Sequence, residues 1–105
     1  MKYDKLVRDE IPEIIAKSGK PVRFRYLIDD DEYKIALEMK LDEEVAELHE
    51  NHSIEEFADV AEVLYALIEA YGYRVIDVIK YRAEKKAEKG GFENGVFLEE
   101  VIGDD

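Results

Sequence analysis

The sequence contains no cysteine and only two prolines among its 105 residues. Without cysteine, disulfides, a thiolate nucleophile and thiolate zinc sites are all excluded. The chain also lacks an apolar run of the roughly 18 residues that a membrane-spanning helix needs. Its opening, MKYDKLVRDEIPEII, has no apolar core of the kind that a secretion signal carries. We therefore expect a cytosolic protein with no membrane partner.

Basic residues are scarce relative to acidic ones, with 15 lysines and arginines against 27 aspartates and glutamates and a formal net charge of -12. This charge repels a nucleic-acid backbone, so we expect no duplex nucleic-acid partner. Bound divalent cations would relieve the surplus and let an anionic phosphate substrate approach. The length and the balance of apolar and charged residues fit one folded, helix-rich domain over residues 1–105.

Apolar periodicity and turn residues predict an all-α fold. A short N-terminal helix has Pro12 in its first turn and stops at Gly19, and PVRFRYLI then gives either a weak strand signal or an extended arm. A long helix follows over about residues 31–50, and a second begins after Ser53 and ends at Gly72. The short turn between them predicts an antiparallel helix hairpin.

A further helix, RVIDVIKYRAEKKAEK, should place Val75, Ile76 and Ile79 inside, before a loop and a short apolar tail, GGFENGVFLEEVI. Apolar residues surround much of the helix after Ser53, which indicates burial on several sides. Since three helices and an arm make a thin core, we expect self-association into an oligomeric helical bundle.

Two acidic pairs stand out beside the apolar stripe of the hairpin. Glu44 and Glu47 lie three residues apart in the long helix, and Glu56 and Asp59 repeat that spacing in the next one. Like charges at this spacing repel unless something neutralises them. The short turn brings both pairs to the same end of the hairpin, and all-oxygen ligation suits Mg²⁺ or Mn²⁺. The ordinary alternative is a solvated acidic face, with Glu56 serving as the capping-box partner of Ser53.

The pattern EEVAE followed by EFAD resembles the EExxE and ExxD signature of the all-α NTP pyrophosphatase superfamily, the MazG-like and phosphoribosyl-ATP pyrophosphohydrolase-like proteins. The segments YDKLVRDEIPEII, LDEEVAEL, EEFADVAEV and EKGGF look like one small branch of it, so most of the chain takes part. The spacing between Glu47 and Glu56 is tighter than in longer MazG proteins. Glu10 and Glu88 also stand where basic residues are more usual in this branch.

The resemblance implies Mg²⁺ held by Glu44, Glu47, Glu56 and Asp59, with Glu43 or Glu47 orienting or deprotonating the attacking water. It implies hydrolysis of the α–β phosphoanhydride bond of a nucleotide, giving a monophosphate and pyrophosphate, with the clearing of non-standard nucleotides as an expected role. It also implies homodimers or higher homo-oligomers with sites near the subunit interface.

A polyphosphate also needs protein cations and a surface for its base. The cations that we expect to contact the substrate are Lys5, Arg8, Arg82, Lys86 and Lys89, with Phe92 after the double glycine as a stacking residue. Asp9 could pair with Arg8 or cap the first helix. His49 and His52 lie at a helix end and in the turn, where a histidine more often interacts with the helix dipole than binds zinc.

Two other functions fit the same residues. One is phosphoribosyl-ATP pyrophosphohydrolase activity in histidine synthesis, and the other is a catalytically silent helical module whose acidic groups solubilise it or bind a protein partner. Mg²⁺ should raise the melting temperature of a metal-binding enzyme but leave a silent module unchanged.

Overall fold

The computed structural model describes residues 4–103, so the first three and last two residues of the predicted domain lie outside it. These residues form four helices, namely α1 (Ile11–Lys17), α2 (Asp30–Glu50), α3 (Ile54–Ala70) and α4 (Val75–Lys89). No strand is present in this part of the chain, which confirms the all-α prediction. Residues 20–28, where the strand signal fell, belong to neither a helix nor a strand.

The helix ends follow the local chemistry of the sequence. Pro12 lies in the first turn of α1, and Gly19, just beyond the helix, has a φ of 92° that suits glycine. The Asp29 carboxylate accepts the Glu32 amide at the start of α2, and the Ser53 hydroxyl accepts the Glu56 amide at the start of α3. Gly72, with a φ of 86°, follows the end of α3.

The core lies between α2 and α3. Leu37, near the beginning of α2, forms a buried cluster with Val63 and Leu67 from the second half of α3. Leu6, Tyr33 and several smaller residues pack around this cluster. Among the described helices, α4 packs against α3 alone and α1 packs against no other helix. Three buried apolar residues make a small core, so α2 and α3 provide most of the packing that positions the site.

The prediction that α4 buries an apolar face is wrong for this chain on its own. None of its residues is buried, and Ile76 and Ile79 are both exposed. None of the described helices combines the length and the apolar character that crossing a membrane requires.

Candidate metal centre

Three of the predicted carboxylates meet between α2 and α3. Glu44, Glu56 and Asp59 each offer one oxygen atom, and these three atoms lie within 4.8 Å of one another. Opposite oxygens around Mg²⁺ are roughly 4.2 Å apart. A small adjustment of the side chains would therefore let them share one ion. We call these residues the acidic cluster.

The local sequence explains why the acidic cluster forms. Glu44 lies two helical turns after Leu37, so it faces the same way as that core residue and is only 7% exposed. Glu56 and Asp59 occupy the first two turns of α3, directly after the three-residue connection that leaves α2. Packing of α2 against α3 brings these positions together.

Two carboxylate oxygens in the acidic cluster lack hydrogen-bond partners. The Oε2 atoms of Glu44 and Glu56 are both buried and accept no hydrogen bond, while Lys40 Nζ lies 3.2 Å from Glu44 Oε1. Buried polar atoms without partners cost free energy, and ionised ones cost more. All-oxygen donors with unsatisfied lone pairs are the ligands that a hard divalent cation prefers, so the residues fit Mg²⁺ or Mn²⁺.

Crowding of like charges shifts the proton affinity of the neighbouring glutamates. Desolvation, followed by the charges of Asp59 and Glu44, raises the pKa of Glu56 above its usual value. The charge of Glu44 is the main cause that raises the pKa of Glu47, with desolvation second. Glu47 is exposed and is not one of the three clustered ligands, although it lies within electrostatic reach of two of them.

The structure forms only one of the two hydrogen bonds of the capping box that was the alternative role for Glu56. The Ser53 hydroxyl accepts the Glu56 amide at 3.3 Å, which is one half of a capping box. Within residues 4–103, the Ser53 amide donates no hydrogen bond to the Glu56 carboxylate. The helix is therefore capped by Ser53 alone, and the Glu56 carboxylate belongs to the acidic cluster.

Two cations from the N-terminal segment reach this region. Lys5 Nζ lies 2.7 Å from Glu43 Oε1, and Arg8 Nη2 lies 2.8 Å from Asp59 Oδ1. Arg8 thus pairs with a residue of the acidic cluster, and more loosely with Glu62 at 4.0 Å, rather than with its neighbour Asp9. The hydrogen bond from Lys5 lowers the pKa of Glu43 and in turn raises the pKa of Lys5.

The sequence analysis missed Lys40. Its Nζ lies near both Glu43, at 3.5 Å, and Glu44, at 3.2 Å. The spacing of four residues between Lys40 and Glu44 was the available signal, since such pairs are neighbours on a helix. Lys40 and Lys5 also line a groove of about 270 Å³ between the N-terminal segment and α2, together with Leu6 and Met39.

The other predicted substrate-binding residues lie elsewhere. Arg82, Lys86 and Lys89 belong to α4, which does not pack against α2, and Lys86 pairs with Glu93 at 3.0 Å. Phe92 is 98% exposed on the loop that follows, beside a shallow depression of about 260 Å³ formed by residues 89–96. Within the described chain these residues are not brought to the acidic cluster. That cluster also contains no histidine.

The comparisons with known proteins give little functional information. A protein of Mycolicibacterium smegmatis (strain ATCC 700084 / mc(2)155), described as an uncharacterized protein, is 63% identical over 43 residues. The match covers 41% of this chain and 43% of that relative, so the chain spans less than half of the relative's length. No family model and no solved structure matches the chain. Function must therefore be argued from the site.

Proposed function

We propose that the chain is a Mg²⁺-dependent nucleotide pyrophosphohydrolase. It hydrolyses the α–β phosphoanhydride bond of a nucleoside triphosphate or related nucleotide, releasing a monophosphate and pyrophosphate. The resemblance of EEVAE and EFAD to the all-α NTP pyrophosphatase signature motivates this choice of reaction. The short connection between α2 and α3 suggests that they form an antiparallel hairpin, and the resemblance suggests that further copies assemble with it into a bundle.

The observation that carries the proposal is the convergence of Glu44, Glu56 and Asp59, with buried Glu44 and Glu56 oxygens that accept no hydrogen bond. A solvated acidic face would leave its carboxylates hydrated. Here the buried oxygens lose water without gaining a donor, and a bound cation would compensate that cost. This favours the enzyme over the silent module.

Mg²⁺ bound at the acidic cluster would neutralise phosphate charge and polarise the phosphoryl oxygens of the substrate. Glu47 is the better-placed proton acceptor, because it is exposed and is not one of the three clustered carboxylates, so its oxygens stay available to a water molecule. Glu43 is a weaker base, because its pairing with Lys5 lowers its pKa. As water attacks phosphorus, a bond forms between the water oxygen and phosphorus while the bridging P–O bond breaks. Glu47 then takes the proton, and pyrophosphate leaves.

Lys5 and Arg8 are well placed to bind the polyphosphate. Both are anchored beside the acidic cluster through Glu43 and Asp59, and both side chains are substantially exposed, so they can turn toward a phosphate that enters the site. Arg82, Lys86, Lys89 and Phe92 are proposed as additional contacts. Their position on and after α4 would require α4 of this copy or another to approach the site.

Glu44→Gln should abolish pyrophosphate release, because it removes the buried charge from the ligand set while keeping the side chain's shape. We expect a loss of at least about a hundredfold in kcat/KM, typical of losing an electrostatic contact to the transition state. Glu38→Gln is the matched control, since Glu38 is an exposed glutamate on the same helix. Pyrophosphate release retained in Glu44→Gln would reject the assigned site.

The substrate is tested by measuring pyrophosphate release from ordinary, deoxy and modified nucleoside triphosphates and from phosphoribosyl-ATP. Each reaction is run with Mg²⁺ and with EDTA. We expect Mg²⁺-dependent release from a nucleoside triphosphate. Release from phosphoribosyl-ATP alone would reassign the substrate while leaving the site intact, and no release from any nucleotide would contradict the proposed activity.

A further inference from the structure

Two segments of the chain outside the helices expose most of their apolar side chains. We call residues 20–28, KPVRFRYLI, the arm and residues 96–102, VFLEEVI, the tail. Tyr26 is 80% exposed and Ile28 95%, while Phe97 and Ile102 are 87% and 89% exposed. In the arm, the Phe24 and Tyr26 rings meet edge to face with their centroids 5.7 Å apart, which places two aromatic side chains together on one side of the arm.

The whole chain exposes far more surface than a compact protein of its mass. Its accessible surface is 9647 Å², whereas a folded monomer of 12.2 kDa exposes roughly 6,100 Å². Its radius of gyration is 18.9 Å, against roughly 13 Å for a compact chain of this length. A large permanent dimer interface buries about 2,000–5,000 Å² over both partners. The excess is therefore sufficient to form one.

The arm and the tail carry opposite charges. The arm contains Lys20, Arg23 and Arg25 with no acidic residue, in a chain whose net charge is -12. Arg25 already pairs with Glu32 of α2, so Lys20 and Arg23 supply the charge that is open to a partner. The tail contains Glu99 and Glu100 with no basic residue. Two strongly acidic copies repel each other over most of their surfaces, so the basic arm is a favourable place for an acidic segment to dock.

The backbone of both segments is open to pairing. Within residues 4–103, no backbone–backbone hydrogen bond involves residues 20–28 or 96–102. Extended segments rich in valine, isoleucine and aromatic residues readily pair through their main chains. Pro21 cannot donate, which limits pairing at the beginning of the arm.

We propose that the arm of one copy of this chain pairs with the tail of a second copy, strand against strand. The reciprocal pair forms at the same time, so the contact closes into a two-fold symmetric dimer. This inference specifies the contacts of the self-association proposed above and does not depend on the hydrolase chemistry. A second copy is the favoured partner because the complementary segment is present in the same sequence.

The absence of cysteine allows a direct test by cross-linking. Tyr26→Cys marks the arm and Leu98→Cys marks the tail, and each variant chain then carries a single thiol. The two variants are co-expressed, one with a longer tag so that mixed dimers can be told apart, and the purified protein is treated with a short bismaleimide. We expect mixed arm-to-tail dimers to exceed either like-to-like product several-fold. Lys85→Cys, on an exposed face of α4, replaces Leu98→Cys in the control mixture and should give no such excess.

Each alternative result overturns the inference in a recognisable way. A monomeric wild-type chain in light scattering would reject self-association itself. A dimer that yields only like-to-like products would place the contact elsewhere. A Tyr26→Cys/Leu98→Cys double variant that cross-links only within one chain would show that the arm and tail pair in the same copy.

Charge reversal gives a second measurement that does not need a cross-link. Arg23→Glu should weaken the dimer about tenfold, the change that corresponds to roughly 1.4 kcal/mol. Lys17→Glu, an equal charge change on α1 outside the arm, should weaken it clearly less. The matched charge swap combines Lys20→Glu and Arg23→Glu in the arm with Glu99→Lys and Glu100→Lys in the tail, and leaves Arg25 paired with Glu32. It should restore much of the affinity that the two arm substitutions remove, and failure to restore it would contradict arm–tail pairing.

Discussion

At the scale of single residues, the site balances acidic ligands against cations from the N-terminal segment. Arg8 donates to Asp59 at 2.8 Å, so a guanidinium lies on one of the three carboxylates that the proposed metal would use. Arg8 and a bound ion would therefore compete for the same charge. Once released from Asp59, Arg8 would be free to bind phosphate, which couples metal binding to substrate binding.

Arg8→Ala should bind Mg²⁺ more tightly than the wild type when no nucleotide is present. The gain should be about two- to fivefold, because an exposed ion pair contributes roughly 0.2–1 kcal/mol. Isothermal titration with Mg²⁺ or Mn²⁺ measures it. Removing any cation from an acidic chain favours metal binding slightly, so Arg74→Ala, whose partner Asp77 lies at 4.0 Å on α4, is the matched control. Equal affinities for the two variants would mean that Arg8 does not compete with the ion.

The raised pKa values of Glu47 and Glu56 predict an unusual pH dependence for the metal-free protein. A carboxyl whose pKa is raised above 4.5 by folding holds its proton more tightly in the folded state, so its contribution to stability grows as pH falls from 7 toward 4.5. The melting temperature in EDTA should rise over this window. Below pH 4.5 the trend should reverse, because the pKa values of Glu43 and Glu93 are lowered and their protonation costs stability.

Between pH 7 and 4.5, Mg²⁺ should reverse the direction in which the melting temperature changes with pH, because protons and the ion compete for the same oxygens. Thermal melts in saturating Mg²⁺ should therefore lose stability as pH falls from 7 toward 4.5. Identical profiles with Mg²⁺ and with EDTA would argue against a metal at the acidic cluster.

At the scale of helices, the start of α3 has two roles. Ser53 caps the helix, and the capped residue, Glu56, belongs to the acidic cluster. Fixing the first turn therefore also fixes a carboxylate that we propose as a metal ligand. The corresponding cap on α2, in which Asp29 accepts the Glu32 amide at 2.9 Å, holds no such ligand.

Ser53→Ala and Asp29→Ala should each destabilise the fold by about 1 kcal/mol, the usual cost of losing an N-cap. Only Ser53→Ala should also weaken Mg²⁺ binding, because Glu56 would lose its fixed position. Chemical denaturation measures the first effect, and metal titration at a temperature where both variants are folded measures the second. Equal metal affinities in the two variants would show that the cap serves the helix alone.

Sequence reasoning located the helices because their signals are local. The proline in the first turn of α1, the serine cap at the start of α3 and the glycine after its end each depend on neighbours a few residues away. The exposure of the apolar face of α4 could not be predicted in the same way. Ile76 and Ile79 have the helical spacing of a buried face, but spacing does not reveal whether a surface in the same chain covers it.

The candidate site was predicted in part for the same reason. Helical spacing placed Glu44, Glu56 and Asp59 at one end of α2 and α3, where the structure brings them together. The pairing of Arg8 with Asp59 joins residues 51 positions apart in the chain. No local sequence pattern predicts such a contact, because the contact depends on how the N-terminal segment lies across two packed helices.

At the scale of the whole molecule, the acidic surplus and the exposed apolar surface act against each other. A net charge of -12 on each copy disfavours association, while about 3,500 Å² of surface beyond that of a compact monomer favours it. An ion bound at the acidic cluster would remove two units of negative charge from each copy. Metal binding should therefore promote self-association even though the arm and tail contain none of the three residues of the acidic cluster.

Sedimentation of the wild type should show a dimer whose dissociation constant is roughly twofold or more lower in Mg²⁺ than in sodium chloride of the same ionic strength. The reason is that a specifically bound ion lowers the net charge of the chain more than screening does. Glu44→Gln cannot hold the ion in the same way, so its dimer should respond equally to both salts. By linkage, conditions that favour the dimer should also tighten Mg²⁺ binding. A Mg²⁺ effect of the same size in Glu44→Gln would assign it to general screening of the acidic surface instead of the acidic cluster.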